Sequence, residues 1–228
     1  MRLILVRHGQ TPSNLVHKLD TKIPGPGLTP LGEEQARALV ETLRGERIDA
    51  LWASSAARAQ LTATPLAHDR GLAVQVHGGL RELDAGDLEG RTDELSVREY
   101  LRVAFTWADG DLEAHLPGGP TGREVLERLD AGVAAVAASV APDGAAVAVS
   151  HGGAIRVWVA ARAGVGAAFA ASNPLLNTGV VVVEGSPDQG WRTLSYQGDP
   201  LHAPTAPLEE SGPAAEPVMT PAIQPVME

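Results

Sequence analysis

Short apolar runs alternate along the chain with segments whose apolar residues recur every three or four positions. The runs predict buried strands at residues 2–6, 48–53, 73–77 and 145–149. Two further runs, at residues 180–184 and 191–196, predict a closing hairpin. The helical spacing predicts helices after Thr29-Pro30, from about Ala56, after Thr121 and after His151. This alternation predicts an α/β fold, a three-layer α/β/α sandwich around a mostly parallel sheet.

Several helix ends carry recognisable signals. Thr29 offers a capping hydroxyl and Pro30 suits the first helical position, while Gly45 can end that helix. Thr121 and Glu124 have the spacing of a capping box.

The second helix has less regular signals. Ser54 and Ser55 can cap a helix that begins at about Ala56. Pro65 should kink or shorten that helix, because proline lacks the N–H that the helix interior needs.

Length and composition indicate one domain followed by a tail. The 228 residues are enough for one large domain with a buried core, and 44% of them are apolar. Prolines become frequent from about residue 203. We therefore predict a domain at residues 1–202 and a proline-rich, disordered or extended tail at residues 203–228.

Charge and cysteine content exclude several classes of function. The net charge of −10 opposes binding to a nucleic acid, and no apolar run approaches the roughly 20 residues that cross a membrane. The absence of cysteine excludes disulfides, thiolate metal sites and cysteine nucleophiles. The apolar run at residues 2–6 leads into polar residues instead of a cleavage site, so we expect no signal peptide and a cytoplasmic protein.

Charged and polar residues follow the predicted strands at four places. These segments are Arg7-His8-Gly9, Ser54-Ser55-Ala56-Ala57-Arg58, Arg81-Glu82-Leu83 and Ser150-His151-Gly152-Gly153. Each segment alone is weak evidence for a functional site, because a lone histidine is more often packed in a core or loop and a lone arginine is more often a solvated charge. Ligands of open α/β sheets bind beyond the carboxyl ends of the strands, so together the four segments indicate a functional site there.

The same segments resemble the histidine phosphatase superfamily, also called the phosphoglycerate mutase-like family, over roughly the first 200 residues. The matching residues are Leu3-Ile4-Leu5-Val6-Arg7-His8-Gly9-Gln10-Thr11 with Asn14, Leu28-Thr29-Pro30-Leu31-Gly32 with Gln35-Ala36, Arg58-Ala59-Gln60, Glu82 with Gly86 and Glu89-Gly90, and Ser150-His151-Gly152.

The resemblance implies five catalytic residues. His8 would be the nucleophile, and Arg7 and Arg58 would donate to the equatorial phosphoryl oxygens. His151, if protonated, would add another donor. Glu82 would protonate the leaving alkoxide and then activate water, although Asp84, Asp87 and Glu89 lie close by and could be confused with it.

Four further residues would bind the substrate. Gly9 and Gly152 would let the backbone approach it closely, and Thr11 and Asn14 would contact the phosphoryl group. Asn14 could instead cap the local turn. The resemblance implies no metal and no cofactor, because arginines and histidines supply the positive charge.

The chain departs from the family pattern at the edge of the expected pocket. Asp20 and Thr21 stand where members often carry a glutamine-glycine pair, and Asp20 would place negative charge near an anionic substrate unless it turns away. Leu83-Asp84-Ala85-Gly86 follows Glu82, where the mutase branch usually has a His-Tyr-Gly run. The insertion at about residues 93–120 is expected to cover the pocket and select the substrate.

The resulting hypothesis is a metal-independent phosphomonoesterase that hydrolyses a small phosphorylated metabolite through phosphohistidine at His8. A cofactor-dependent phosphoglycerate-type mutase is the main alternative. A catalytically silent phosphate-binding protein and a two-histidine metal hydrolase are further alternatives. A homodimer is expected only because relatives commonly form one.

Overall fold

The computed structural model of the protein describes residues 1–200 of the 228-residue chain. The predicted tail at residues 203–228, and the exact end of the predicted domain at residue 202, lie outside the described residues and stay predictions.

A single seven-stranded sheet runs through the described part of the chain, with strand order β3-β2-β4-β1-β5-β6-β7. The strands are β1 Arg2–Arg7, β2 Ala50–Ser54, β3 Val74–His77, β4 Ala145–Ser150, β5 Val180–Ser186, β6 Gly190–Tyr196 and β7 Asp199–Pro200. Strands β1 to β4 pair in parallel, whereas β5, β6 and β7 add in antiparallel fashion beside β1. The α/β fold and the closing hairpin are confirmed.

In the described part of the chain, seven α-helices connect the strands. They are α1 Pro12–Leu15, α2 Pro30–Thr42, α3 Ala57–Arg70, α4 Glu94–Ala108, α5 Gly122–Ala138, α6 Gly152–Arg162 and α7 Ala167–Ser172. Two short 3₁₀ turns, Gly78–Leu80 and Gly86–Leu88, lie between β3 and α4. No helix within residues 1–200 combines the length and apolar character that crossing a bilayer requires.

The sheet buries residues on both faces, as three layers require. Successive side chains of β1 alternate between two core clusters, with Leu3 and Leu5 in one and Ile4 and Val6 in the other. Helices α2 and α3 pack on the face of Ile4, and helices α4, α5 and α6 pack on the face of Leu3. The site residues at the strand ends are therefore supported from both sides.

The four predicted helix starts are confirmed, and two of the predicted caps are present. The Thr29 side chain accepts a hydrogen bond from Gly32 N at 3.0 Å, with Pro30 at the first position of α2. Thr121 and Glu124 form the predicted capping box of α5. Helix α2 ends at Thr42, before Gly45, so Gly45 does not end it.

The predictions for α3 were partly wrong. The residue preceding this helix is Ala56, which makes no side-chain cap, and Ser54 Oγ instead accepts from Ala56 N at 3.2 Å. Pro65 lies inside α3, which continues to Arg70 and is not shortened. Leu66, beside the proline, is fully buried, so tertiary packing outweighs the roughly 3 kcal/mol that an internal proline costs.

The predicted insertion at residues 93–120 contains one amphipathic helix, α4. Its buried side chains, including Tyr100, Leu101 and Phe105, belong to the larger core cluster. The apolar face of α4 is thus part of the core, and Tyr100 is the residue through which the insertion reaches the site described below.

Candidate active site

The two site histidines follow neighbouring strands. His8 comes directly after β1 and His151 directly after β4, and the preceding residues Arg7 and Ser150 are paired in the sheet. The imidazole centroids lie 5.2 Å apart, with the rings inclined by 64°. Residues more than 140 positions apart in the sequence therefore meet in one place, as their position after the strands predicted.

The surroundings of His8 select one form of its ring. Its Nδ1 lies 2.7 Å from the carbonyl oxygen of Gly9, and a carbonyl can only accept, so Nδ1 carries the proton. The lone pair is then on Nε2. Burial, followed by the nearby Arg58 and Arg7, lowers the pKa of His8 well below 6.5. His8 is consequently neutral at physiological pH and has a nucleophilic Nε2.

Contacts from distant parts of the chain fix the loop that carries His8. Asn177 Nδ2 donates to the carbonyl of His8 at 3.0 Å, and Gly9 N donates to Thr62 Oγ1 at 2.9 Å. A Cβ at Gly9 would lie only 2.6 Å from the carbonyl oxygen of Gly32, so the two backbones can approach only because residue 9 is glycine.

The matching residues of α2 hold the same loop. Gln10 N donates to Gln35 Oε1 at 2.8 Å, and Thr29 N donates to the carbonyl of Gln10 at 2.9 Å. A Cβ at Gly32 would lie 2.1 Å from that carbonyl oxygen. The Thr29-to-Gln35 stretch thus positions the nucleophile loop and does not itself touch the pocket.

Both predicted arginines are buried in the site. Arg7 is 1% exposed and donates from Nη1 to the carbonyl of Leu175 at 2.7 Å, and burial lowers its pKa to about 9, so it stays charged at neutral pH. Arg58 is 3% exposed and donates from Nη2 to the carbonyl of Asp20 at 3.1 Å. Its Nη1 is buried without a hydrogen-bond partner in residues 1–200. An anion in the site would supply that partner.

His151 is fully buried and is paired through one nitrogen. Its Nε2 lies 2.8 Å from Ser54 Oγ, while Nδ1 is buried with no hydrogen-bond partner among the described residues. Burial, followed by Arg58 and His8, lowers the pKa of His151 well below 6.5. His151 is therefore neutral at physiological pH, so the condition that it be protonated is not met by this arrangement of residues.

A neutral His151 can still donate. Ser54 Oγ accepts from Ala56 N, which leaves its own proton free to be donated to His151 Nε2. That arrangement places the ring proton on Nδ1, the nitrogen without a partner.

Glu82 is held at the N-terminus of α6. Its Oε1 accepts from Leu83 N at 2.9 Å and Ala154 N at 2.7 Å, and its Oε2 accepts from Gly153 N at 3.1 Å. A Cβ at Gly153 would lie 2.8 Å from Oε1, which explains the second glycine after His151. Unlike its sequence neighbours Asp84, Asp87 and Glu89, Glu82 is among the residues that line the hollow described next.

A hollow of about 430 Å³, its open mouth included, brings most of the predicted residues together. Six predicted residues line it: Arg7, His8, Thr11, Asn14, Arg58 and Glu82. Gly9, Gly152 and His151 do not line it. Gly152 is the buried first residue of α6, and His151 reaches the site through its contact with the His8 ring.

Asn14 combines the two roles that the sequence left open. Its Oδ1 accepts from Thr11 N at 3.0 Å and completes a capping box on α1, and Asn177 Nδ2 also donates to it at 3.3 Å. Asn14 nevertheless lines the hollow, and its Nδ2 makes no hydrogen bond within residues 1–200. The amide nitrogen is thus available to an anion.

The edge of the hollow includes the unusual pair Asp20 and Thr21. Asp20 lines the hollow, and its carboxylate accepts a hydrogen bond at 2.5 Å from Ser13 Oγ, which belongs to another lining residue. Thr21 N donates to Glu89 Oε1 at 3.0 Å, so the Glu89-Gly90 match to the family pattern serves to hold this edge.

Sequence reasoning missed several residues of the site. Lys18, Ser13 and Tyr100 line the hollow, and Asn177 and Thr62 support it from elements far along the chain. Lys18 and Ser13 could have been found from their closeness to Asn14, whereas nothing in the local sequence marks Asn177, Thr62 or Tyr100. Within residues 1–200, no group of three or more His, Cys, Asp or Glu side chains is arranged to hold a metal ion.

Comparison of the chain with known proteins identifies its family. The family model of the histidine phosphatase superfamily (branch 1) matches residues 3–197. The chain therefore belongs to the histidine phosphatase superfamily.

Two sequence relatives illustrate the range of the family. PE-PGRS family protein PE_PGRS11 of Mycobacterium tuberculosis is 35% identical over 218 residues, which cover 89% of this chain but only 37% of that protein. Probable phosphoglycerate mutase GpmB of Salmonella typhi is 29% identical over 215 residues, covering 92% of this chain and 98% of the relative.

The fold is also found among solved structures. A mycobacterial glucosyl-3-phosphoglycerate phosphatase, solved in complex with VO3, superposes with a TM-score of 0.69 at 30% identity, covering 84% of this chain and 96% of the other. A putative α-ribazole-5′-P phosphatase from Escherichia coli gives a TM-score of 0.66 at 25% identity, covering 87% and 98%.

Proposed function

We propose that the protein is a metal-independent phosphomonoesterase that hydrolyses a small phosphorylated metabolite through a phosphohistidine at His8. The observation that carries this proposal is the His8 ring, neutral and with its Nε2 lone pair free, in a hollow walled by Arg7, Arg58 and Glu82. A nucleophile, a positive lining and a proton donor are the components that phosphoryl transfer needs.

The reaction would proceed in two transfers. In the first, Nε2 of His8 bonds to phosphorus while the bond from phosphorus to the leaving oxygen breaks, and Glu82 gives that oxygen its proton. In the second, a water oxygen bonds to phosphorus, the N–P bond breaks and Glu82 takes the proton from water. Arg7, Arg58 and an Nδ1–H of His151 would stabilise the phosphoryl oxygens in both.

Trapping the intermediate tests this proposal. Wild-type protein given a ³²P-labelled phosphate ester and quenched in base should carry label at His8, and His8→Ala should carry none and release no phosphate. His68→Ala is the matched control, because that histidine lies on α3 outside the hollow. An unlabelled wild type, under conditions that label another histidine phosphatase, would favour a silent phosphate-binding protein. Loss of activity on treatment with a chelator would favour a metal hydrolase.

A phosphoglycerate-type mutase is the second candidate, because relatives covered over nearly their whole length are named probable phosphoglycerate mutases. The Leu83-Asp84-Ala85-Gly86 sequence after Glu82 favours the phosphatase. Incubation with 3-phosphoglycerate, with and without a bisphosphoglycerate primer, separates the two. Isomerisation without net release of phosphate would reverse the ranking.

A further inference from the structure

A second hollow adjoins the one that contains His8. It measures about 640 Å³ with its open mouth included, and Thr21 and Glu82 line both hollows. Its wall also contains Arg81, Asp84, Pro120, Glu124, Val125 and Arg128. The volume is in the range of sites that bind small molecules.

The position of Glu82 suggests which part of the substrate the second hollow binds. This argument rests on the proposed function, in which Glu82 is the general acid. A general acid must lie within hydrogen-bond reach of the ester oxygen that it protonates. With phosphorus at His8 and the ester oxygen at Glu82, the remainder of the leaving group extends beyond Glu82. The hollow on that side is the space available to it.

The arginines of this wall present few free positive groups. Arg128 donates from Nη1 to the carbonyls of Gly79 and Arg81, both at 2.9 Å, and from Nη2 to the carbonyl of Glu82 at 3.1 Å. Arg128 therefore holds the segment that carries Glu82. Arg81 donates from Nε to the carbonyl of Gly78 at 3.0 Å, and its Nη1 and Nη2 make no hydrogen bond within residues 1–200.

Two carboxylates of the wall, Asp84 and Glu124, each have one oxygen without a hydrogen bond from the described residues. Asp84 Oδ1 accepts from Gly86 N at 2.9 Å, and Glu124 Oε2 accepts from Thr121 N at 2.8 Å. The opposite oxygens, Oδ2 and Oε1, accept no hydrogen bond from the described residues. With Glu82, three carboxylates face two guanidinium groups, so a second anionic group on the substrate is not favoured here.

We propose that the second hollow binds an uncharged, polyhydroxylated leaving group, the alcohol part of a sugar phosphate or polyol phosphate. A hydroxyl both donates and accepts, so the same ligand can donate to Asp84 and Glu124 and accept from Arg81. The phosphoryl group stays in the first hollow. Substrate preference is thereby assigned to the second hollow, and the chemistry is assigned to the first.

The test compares substrates that differ only beyond the ester oxygen. Wild-type protein should show a higher kcat/KM for hexose and pentitol monophosphates than for 3-phosphoglycerate and phosphoserine. Arg81→Ala and Asp84→Ala should each lower kcat/KM for the preferred sugar phosphate by about tenfold, the equivalent of one hydrogen bond. Activity on p-nitrophenyl phosphate, whose leaving group carries no hydroxyls, should change less than about twofold in both variants.

Glu127→Ala is the matched control, because Glu127 is an exposed carboxylate on α5 that does not line the hollow. Glu127→Ala should leave kcat/KM for every substrate unchanged. Preference for the carboxylate-bearing esters, or an equal loss on p-nitrophenyl phosphate and sugar phosphate in Arg81→Ala and Asp84→Ala, would overturn the inference while leaving phosphatase activity in place. Absence of phosphate release from any ester, p-nitrophenyl phosphate included, would instead overturn the proposed function.

Discussion

Ser54 should hold His151 in the form that donates to phosphate. Ser54 is fully buried, and its Oγ is the partner of two buried groups, Ala56 N at 3.2 Å and His151 Nε2 at 2.8 Å. In Ser54→Ala both groups lose that partner. A buried polar group without a partner costs about 1–3 kcal/mol, so for the two groups we expect the free energy of unfolding to fall by about 2–6 kcal/mol.

The same substitution should impair the chemistry. Without the serine hydroxyl, nothing favours the proton on Nδ1 of His151 over the proton on Nε2. We expect kcat for phosphate release to fall by about 10- to 100-fold, less than the roughly 10²- to 10³-fold that follows complete deletion of a transition-state donor. Denaturant unfolding measures the loss of stability, and ¹⁵N chemical shifts of the His151 ring report the change of tautomer.

Ser139→Ala is the control for Ser54→Ala. Ser139 also makes two hydrogen bonds, from Trp52 Nε1 at 3.0 Å and to the carbonyl of Val136 at 2.6 Å, but Ser139 is exposed. Water can replace both hydrogen bonds of Ser139, so we expect the free energy of unfolding of Ser139→Ala to fall by less than about 1 kcal/mol. Equal stability and unchanged kcat in Ser54→Ala would refute the role assigned to Ser54.

Two further predictions concern the proton donor and the buried histidines. In Glu82→Gln, kcat for an alkyl phosphate should fall by about 10²- to 10⁴-fold with a smaller change in KM, while p-nitrophenyl phosphate should still give a burst of p-nitrophenol. Normal turnover of the alkyl ester would remove Glu82 as the acid. The pKa values of His8 and His151 are lowered by burial, so the unfolded chain binds protons first as the pH falls below 6.5. Stability should therefore be complete above that pH and should decline below it, by up to about 1.4 kcal/mol per pH unit for each histidine. Denaturant midpoints between pH 8 and 5 test this, and a His8→Ala variant that keeps the full slope would contradict it.

The sequence predicts those parts of the fold that depend on local pattern. The apolar runs place six strands to within about two residues at each end, and the strand–helix alternation predicts the layers. Pro65 shows the limit of local reasoning, because α3 continues past the proline, where Leu66 is fully buried, and ends only at Arg70.

The residues of the candidate site likewise fall into those that the local sequence predicts and those that depend on tertiary contacts. His8, Arg7, Arg58 and Glu82 were found because each lies at or near a strand end and matches a family motif. Asn177 was not found, because its contact with His8 exists only once β5 has paired with β1.

The spacing of the two imidazoles is a property of the sheet. Parallel strands lie about 4.8 Å apart, and His8 and His151 extend β1 and β4 at the same level, so their 5.2 Å separation largely repeats the backbone interval. Exchanging side chains in the surrounding loops does not alter that interval. Substitutions in those loops can therefore change which molecules fit beside the two rings without changing the interval between the strands that carry them.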